Sequence, residues 1–283
     1  MKPKLFERPV KAEPFLKWAG GKGQLLKEFV RLFPEKFNNY IEPFVGGGAV
    51  FFYLCSNGKL TNKKSVLIDS NKDLIIAYKS IKDKNKLRFI IKALSNGKYL
   101  NNKDNFYKIR EEEPKNDVDK TARLIYLNKT CFNGLYRVNS NGKFNVPFGK
   151  YKNPLICDSE NLKAVNRALA NAEIINGDFS IALEFADKGD FVYFDPPYQP
   201  VSKTASFTAY TKDSFGEKDQ VRLAEVYRKL DKRGCKLMLS NSDVKFIRDL
   251  YKGYRIETVE ARRMINFKAY KRGAVNELVI LNY

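Results

Sequence analysis

The stretch that decides the fold is Phe191-Val192-Tyr193-Phe194-Asp195-Pro196-Pro197-Tyr198. Four consecutive apolar residues, aromatic or β-branched, predict a strand covered on both faces. The two prolines end it. They carry no backbone donor, hold φ near roughly −65° and keep the residue before each of them extended. Asp195 is thereby delivered to a strand end, the place where open α/β sheets bind their ligands. Similar short runs recur on both sides, at Tyr40–Phe44, Ser65–Asp69, Glu173–Ile175 and Lys236–Ser240, with Tyr254–Val259 and Leu278–Leu281 placed to pair as a terminal hairpin. Helical patterns follow the first, second and fourth strands, near Val50–Ser56, Lys72–Lys79 and Lys218–Leu230. In the last of these, Val221, Leu223, Ala224 and Leu230 are read as one apolar face. The rhythm predicts an α/β fold, a mixed sheet with helices on both faces.

Residues 87–157 break that rhythm. They are rich in Asn, Lys and aromatics, with one helix expected near Thr121–Lys129 and a hairpin turn at Asn141-Gly142. We read them as an inserted lobe, mainly helical with a β-hairpin, between two parts of one discontinuous domain, 1–86 and 158–283. An insertion there lies beside the strand carboxyl ends.

The chain has 283 residues, 43% of them hydrophobic, enough for one sizeable core carrying an insertion. Its 52 Lys and Arg against 32 Asp and Glu give a formal net charge of +20. The basic residues run the full length rather than forming a tail, which points to a polyanion such as nucleic acid. There is no histidine. That removes His-based acid–base catalysis, serine-type triads and the commonest zinc ligand. Cys55, Cys131, Cys157 and Cys235 form no CxxC pair and suit a reducing cytoplasm. No metal is expected. The start, Met1-Lys2-Pro3-Lys4, leads into no apolar signal core, and no run approaches the roughly 18 apolar residues of a membrane span. A cytoplasmic location is the expectation.

Three motifs carry chemistry. Glu42-Pro43-Phe44-Val45-Gly46-Gly47-Gly48-Ala49 puts three glycines directly after a strand, where backbone can approach a ligand closely. A dinucleotide GxGxxG loop would need glycine where Phe51 stands. The second strand ends about 20 residues on, at Asp69, where a carboxylate can accept hydrogen bonds from both ribose hydroxyls. Together they suggest an adenosine-type cofactor, although the glycine run alone is equally a simple turn. Phe15-Leu16-Lys17-Trp18-Ala19-Gly20-Gly21-Lys22-Gly23 evokes a phosphate loop but fails it, with Leu16 at the early glycine and no Ser or Thr after Lys22. It reads either as a loop covering a cofactor with Trp18 and Lys22 or as a helix-starting turn. In Asp195-Pro196-Pro197-Tyr198, a carboxylate and a nearby backbone carbonyl can each accept one N–H of an aromatic amine. That favours tetrahedral character at nitrogen and aims its lone pair at a methyl donor, while Tyr198 stacks on the ring.

In this order the motifs resemble the DNA adenine-N6 methyltransferases of the Dam type. The resemblance spans nearly the whole chain and includes KWAGGK, EPFVGGGAVFF, NGLYRVNSNGKFNVPFGKYKNP, GDF and FVYFDPPY. It implies a Rossmann-like S-adenosylmethionine-dependent methyltransferase fold with a DNA-recognition lobe. It implies S-adenosyl-L-methionine at Trp18, Lys22, Phe44, Gly46, Gly48, Asp69, Asp178, Phe179 and Asp195. It implies that Asp195, Pro196 and Tyr198 hold a flipped adenine. By resemblance Phe132 wedges beside the vacated base, and Asn133, Leu135 and Arg137 read the edges of GATC in duplex DNA. Lys17, Pro147 and Tyr151 match further contacts, and Lys150 stands where some members carry Arg. An Arg at position 137 suits bidentate reading of guanine. Members act both alone and beside a cognate restriction endonuclease, and a monomer is the default. From the residues alone, cytosine N4 and RNA adenine remain alternatives, and a catalytically silent DNA-binding protein is a further one. Asp195 is expected to be ionised at neutral pH and so to accept the hydrogen bond, as a typical Asp pKa of about 4 permits.

Overall fold

The computed structural model describes residues 10–18, 20–200, 215–262 and 274–283. A 3-10 turn at Lys22–Gln24 and helix α1 (Leu26–Val30) precede β1 (Tyr40–Glu42) and α2 (Ala49–Ser56). Strand β2 (Ser65–Asp69) leads into α3 (Lys72–Lys82). Helices α4 (Lys84–Ser95), α5 (Lys103–Glu111) and α6 (Asp117–Thr130) follow. After an irregular stretch come α7 (Ser159–Ala168), β3 (Ala172–Asn176) and α8 (Ala182–Phe185). The chain continues through β4 (Phe191–Phe194), α9 (Glu217–Arg233), β5 (Lys236–Ser242) and α10 (Lys245–Leu250). It closes with the hairpin β6 (Arg255–Arg262) and β7 (Ala274–Leu281).

The seven strands form one sheet in the order β3-β2-β1-β4-β5-β7-β6. The five from β3 to β5 are parallel, and β7 runs antiparallel between β5 and β6. The chain order reverses between β1 and β4, which makes that gap the topological switch point and the natural ligand crevice. Glu42, Asp69 and Asp195 stand at or just beyond the carboxyl ends of β1, β2 and β4, on one edge of the sheet.

Side-chain alternation along the strands feeds two cores. Phe191, Tyr193 and Met238 face the side packed by α1 to α7, whereas Val192, Phe194, Leu237 and Leu239 face α8 to α10. Burying an aromatic of this kind completely contributes roughly 2–3 kcal/mol relative to leaving it in water. The layering is the α/β arrangement expected from sequence, with helices on both faces. Elements mostly run longer than the pattern suggested: β6 continues to Arg262, β7 begins at Ala274, and α6 begins at Asp117, capped by the Asn116 side chain. Strand β1 is shorter and stops at Glu42, because Pro43 cannot donate to a neighbour. One helical face differs from expectation. Val221 is 40% exposed, and α9 buries Leu223, Ala224, Val226, Tyr227 and Leu230 instead, since Val221 lies off their i, i+3, i+4, i+7 stripe.

The stretch from 84 to 157 packs α4 and α6 directly on α3, and its apolar residues belong to the same core as the α1–α7 side of the sheet. Residue 87 lies within the first turn of α4, whose cap is Asp83. The turn at Asn141-Gly142 closes a short hairpin, with Val138 bridged to Phe144 and Gly142 at φ 76°. No helix among the described residues is long and apolar enough to cross a membrane.

Candidate active site

The glycine turn after β1 is shaped by two close approaches. Gly46 and Gly48 take φ 47° and 69°, where a side chain is strained. A Cβ on Gly46 would lie 2.9 Å from Trp18 Cδ1, and one on Gly48 would lie 2.6 Å from the Tyr78 hydroxyl. The Gly46 amide donates to Asp69 Oδ2 at 3.0 Å and the Asn71 amide to Oδ1 at 2.8 Å. Burial raises the Asp69 carboxyl above the ordinary Asp value, and these two amides offset part of the rise. Each oxygen still has acceptor capacity to spare, as a ribose diol requires.

Beside it, Phe44 and Phe179 stack on each other at 5.4 Å, with Phe215 edge-on to both. They present one apolar wall suited to a purine. Asp178 accepts from Arg222 at 2.6 and 2.9 Å and from the Ser180 amide at 3.0 Å. Burial acts to raise Asp178, but those bonds overcome it and hold the carboxyl at about 2. The Arg222 guanidinium lies 4.2 Å from the Phe179 ring centre. The turn, the Asp69 carboxylate and this wall fit an adenosine-bearing cofactor.

The Asp195 end has a different character. Lys22, only 5% exposed, places Nζ 2.6 Å from Asp195 Oδ1 and donates to the Gly20 carbonyl at 2.8 Å. The Asp195 contact is a short, buried ion pair that leaves the carboxylate further acceptor capacity. Burial raises Asp195 to about 6 and Lys22 limits the rise. Asp195 thus lies above the ordinary Asp value of about 4 yet ionises at neutral pH as expected, because a strand end facing the crevice is drier than the surface. Glu42, almost fully buried, accepts from the Tyr40 hydroxyl at 2.9 Å, and burial pushes its carboxyl well up.

After Asp195 the backbone is tied down from below. Gln220 Nε2 donates to the Pro197 carbonyl at 2.9 Å, Asn241 Oδ1 accepts from the Gln199 amide at 3.2 Å, and Ser242 Oγ donates to the Gln199 carbonyl at 2.6 Å. No described residue donates to the Pro196 carbonyl. Tyr198 lies with its ring 4.7 Å from Lys22 Nζ and donates its hydroxyl to Glu277 Oε2 at 2.6 Å.

The lobe residues singled out from sequence gather on irregular backbone. Phe132 is 42% exposed, and its amide donates to the Pro147 carbonyl at 2.8 Å. Asn133 and Lys150 take positive φ, 55° and 56°, and both are exposed. Leu135 is half-buried against the core, and Arg137 is exposed with Nε donating to Asn145 Oδ1 at 2.7 Å. Lys17 Nζ sits 4.6 Å from the Tyr151 ring centre.

Asn128 and Glu277 went unread in the sequence, and Tyr136 was read only as part of the segment Phe132-Asn133-Gly134-Leu135-Tyr136-Arg137 that the family resemblance places against DNA. Asn128, fully buried, accepts from the Lys17 amide at 2.8 Å and donates to the Lys17 and Gly134 carbonyls at 2.8 and 2.9 Å. It joins the Trp18 loop to the Phe132 turn. Tyr136 stacks on Trp18 at 5.2 Å and donates to Asp73 Oδ2 at 2.9 Å. Glu277 reaches Tyr198. The polar Asn128 directly after the apolar run Leu124-Ile125-Tyr126-Leu127, and Glu277 ahead of Leu278–Leu281, were the available signals.

Known proteins give this geometry a name. A family model for D12 class N6 adenine-specific DNA methyltransferases matches residues 18–265. The chain is 50% identical to the type II methyltransferase M.MjaIII of Methanocaldococcus jannaschii, over 97% of this chain and all of that one. It is 42% identical to the type II methyltransferase M1.LlaDCHI of Lactococcus lactis subsp. cremoris, over 99% and 98%. It is 37% identical to the DNA adenine methylase of Haemophilus influenzae, over 99% and 96%. The chain belongs to the D12 class N6 adenine-specific DNA methyltransferase family, and its reaction is S-adenosylmethionine-dependent methylation of adenine N6 in DNA.

Proposed function

We propose that this methyltransferase acts on adenine within duplex GATC, on a base turned out of the helix into the crevice at Asp195. The observation that carries the reading is the pair of acceptors at the end of β4: the buried Asp195 carboxylate, held against Lys22, and the Pro196 carbonyl, to which no described residue donates. An exocyclic amine offers two N–H donors to such a pair. A base stacked in a duplex could not reach an oxygen this buried, so the base must leave the stack, at a cost of a few kcal/mol. The exposed Phe132 is suited to fill the gap it leaves.

The bound cofactor supplies a methyl group on a sulfonium centre, already activated for transfer. Trp18, Lys22, Phe44, Gly46, Gly48, Asp69, Asp178 and Phe179 would hold it, with Asp195 at the boundary between cofactor and base. Asp195 and the Pro196 carbonyl take the two amine hydrogens and turn the nitrogen lone pair toward the methyl group. Tyr198 supports the base ring. Asp195, held at about 6, is basic enough near neutral pH to take up the proton the methylated nitrogen must lose.

Asn133, Leu135 and Arg137 read base edges in this scheme, while Lys17, Pro147, Lys150 and Tyr151 complete the contact surface. The type II names of two relatives extend the reading to a cognate restriction endonuclease. The test is plasmid methylated by the protein and challenged with nucleases sensitive to N6-methyladenine in GATC. Protection at GATC is the expected result. Incorporation of labelled methyl without such protection would sink the GATC assignment.

A further inference from the structure

We propose that Glu277 is a positioning residue for methyl transfer, anchoring Tyr198 by its hydroxyl and bringing a second negative charge to the Asp195 site. This rests on the reading of Asp195 and Tyr198 as the groups that hold the target adenine.

The sheet topology puts Glu277 where this can happen. Strand β7 runs antiparallel to its neighbours, so its beginning lies at the edge where the parallel strands end. Glu277 pairs with Ser242 at the last residue of β5 and with Val259 of β6. It directly precedes Leu278–Leu281, all fully buried, so its backbone is fixed by the sheet and the core. A carboxylate here is not required by packing, yet it meets the Tyr198 hydroxyl at 2.6 Å, the length of a charge-assisted bond.

The effect is a ring fixed at both ends. On the backbone side, Pro196 and Pro197 stiffen the chain and Gln220 holds the Pro197 carbonyl. On the far side, Glu277 holds the hydroxyl. Lys22 Nζ lies 4.7 Å from the centre of the same ring and 2.6 Å from Asp195 Oδ1. Glu277, Tyr198, Lys22 and Asp195 thus form one chain of contacts with a carboxylate at each end. A platform held this way loses little freedom when a base stacks on it. This also gives a reason for tyrosine at position 198, where phenylalanine would stack as well.

The second consequence is electrostatic. Among the described residues, the charged and titratable groups around Asp195 are Lys22 from the 3-10 turn, Glu42 from β1, Tyr193 of its own strand, Tyr198 and Glu277 from β7. Burial raises Asp195 most, Lys22 lowers it, and the Glu277 charge raises it further. Removing the Glu277 charge lets Asp195 ionise at lower pH, so activity should persist further into acid.

Five variants test this, with methyl transfer, cofactor binding and thermal midpoint measured on each. Glu277→Ala loses anchor and charge, and kcat should fall about tenfold with cofactor affinity kept. Tyr198→Phe should do the same, and the double variant should be no worse than Tyr198→Phe alone. Glu277→Gln keeps an acceptor without the charge. It should hold kcat within about threefold of native at pH 8 and move the acid limb of kcat below that of native enzyme. The proposal is overturned if that limb does not move, or if the losses from Glu277→Ala and Tyr198→Phe simply add. Should Glu277→Ala fail to fold, Glu277→Gln and Tyr198→Phe decide it through the pH profile and kcat. Asp195→Ala separates the two levels: full activity there would remove the underlying reading, whereas inactivity there beside a Glu277→Ala variant with native kcat would remove only this inference.

Discussion

The sheet edge and the lobe solve opposite problems. At the edge, Asp69, Asp195 and Glu42 are set by parallel strands and neighbouring amides, and burial raises all three carboxyls. Across 131–151 the backbone has one 3-10 turn and two isolated bridges, and Asn133, Gly134, Gly142 and Lys150 take positive φ. Its polar side chains stand in solvent: Asn133, Arg137 and Lys150 are exposed. Chemistry needs acceptors taken out of water before the substrate arrives. Reading a groove needs donors that remain accessible until the DNA supplies their partners. The two regions meet through the Trp18–Tyr136 stack and the Asn128 bonds.

The largest effect should come from the edge. Asp195→Ala removes the buried acceptor and should lower kcat by on the order of 10³-fold, as loss of a preorganised polar group does. DNA affinity, measured separately by titration, should stay close to native, because the lobe and the basic surface are intact. A parallel collapse of DNA binding would mean the edge and lobe are not divided as argued above.

The two regions also differed in how far they could be read from sequence. Phe191–Phe194 and its following prolines announced a strand and its end, and the glycines and Asp69 announced a cofactor turn, because period and punctuation are local signals. Val221 shows where such reading stops: an apolar residue lay within the helix but off its stripe. The condition of Asp195 was not legible, since it is set by burial in the crevice and by a charge partner, Lys22, 173 positions away. Glu277 and Asn128 were missed for the same reason. Each is an ordinary polar residue until the fold places Tyr198, Lys17 or Gly134 against it. Within the lobe, the helix around Thr121–Lys129 and the turn at Asn141-Gly142 were legible locally, whereas Phe132, Asn133, Leu135 and Arg137 were singled out only by family resemblance, as their irregular backbone has no period to detect.

An intermediate effect should appear at the junction. Asn128→Ala would strand the Lys17 amide and two carbonyls in a buried place, a loss of about 3 kcal/mol in unfolding free energy. Discrimination between the target site and other sequences should fall more than cofactor affinity, since Asn128 sets the Gly134 turn beside Phe132. Denaturant unfolding together with competition binding checks both. Equal loss of cofactor affinity would show that the Trp18 loop depends on Asn128 as strongly as the lobe does.

The smallest effect should separate stability from reading within the lobe alone. Lys150 takes φ 56°, a conformation that costs a residue with a Cβ about 1–2 kcal/mol. Glycine relieves that strain, although its freer unfolded chain returns about 0.5–1 kcal/mol. Lys150→Gly should therefore raise stability by up to about 1 kcal/mol. It also removes an exposed cation from the contact surface, and a lost phosphate contact lowers the salt slope of DNA binding by about 1. A more stable protein with a shallower slope is the expected pair of results from thermal melts and salt titrations. If stability rises while the slope holds, Lys150 does not touch phosphate, and its strained backbone needs another explanation.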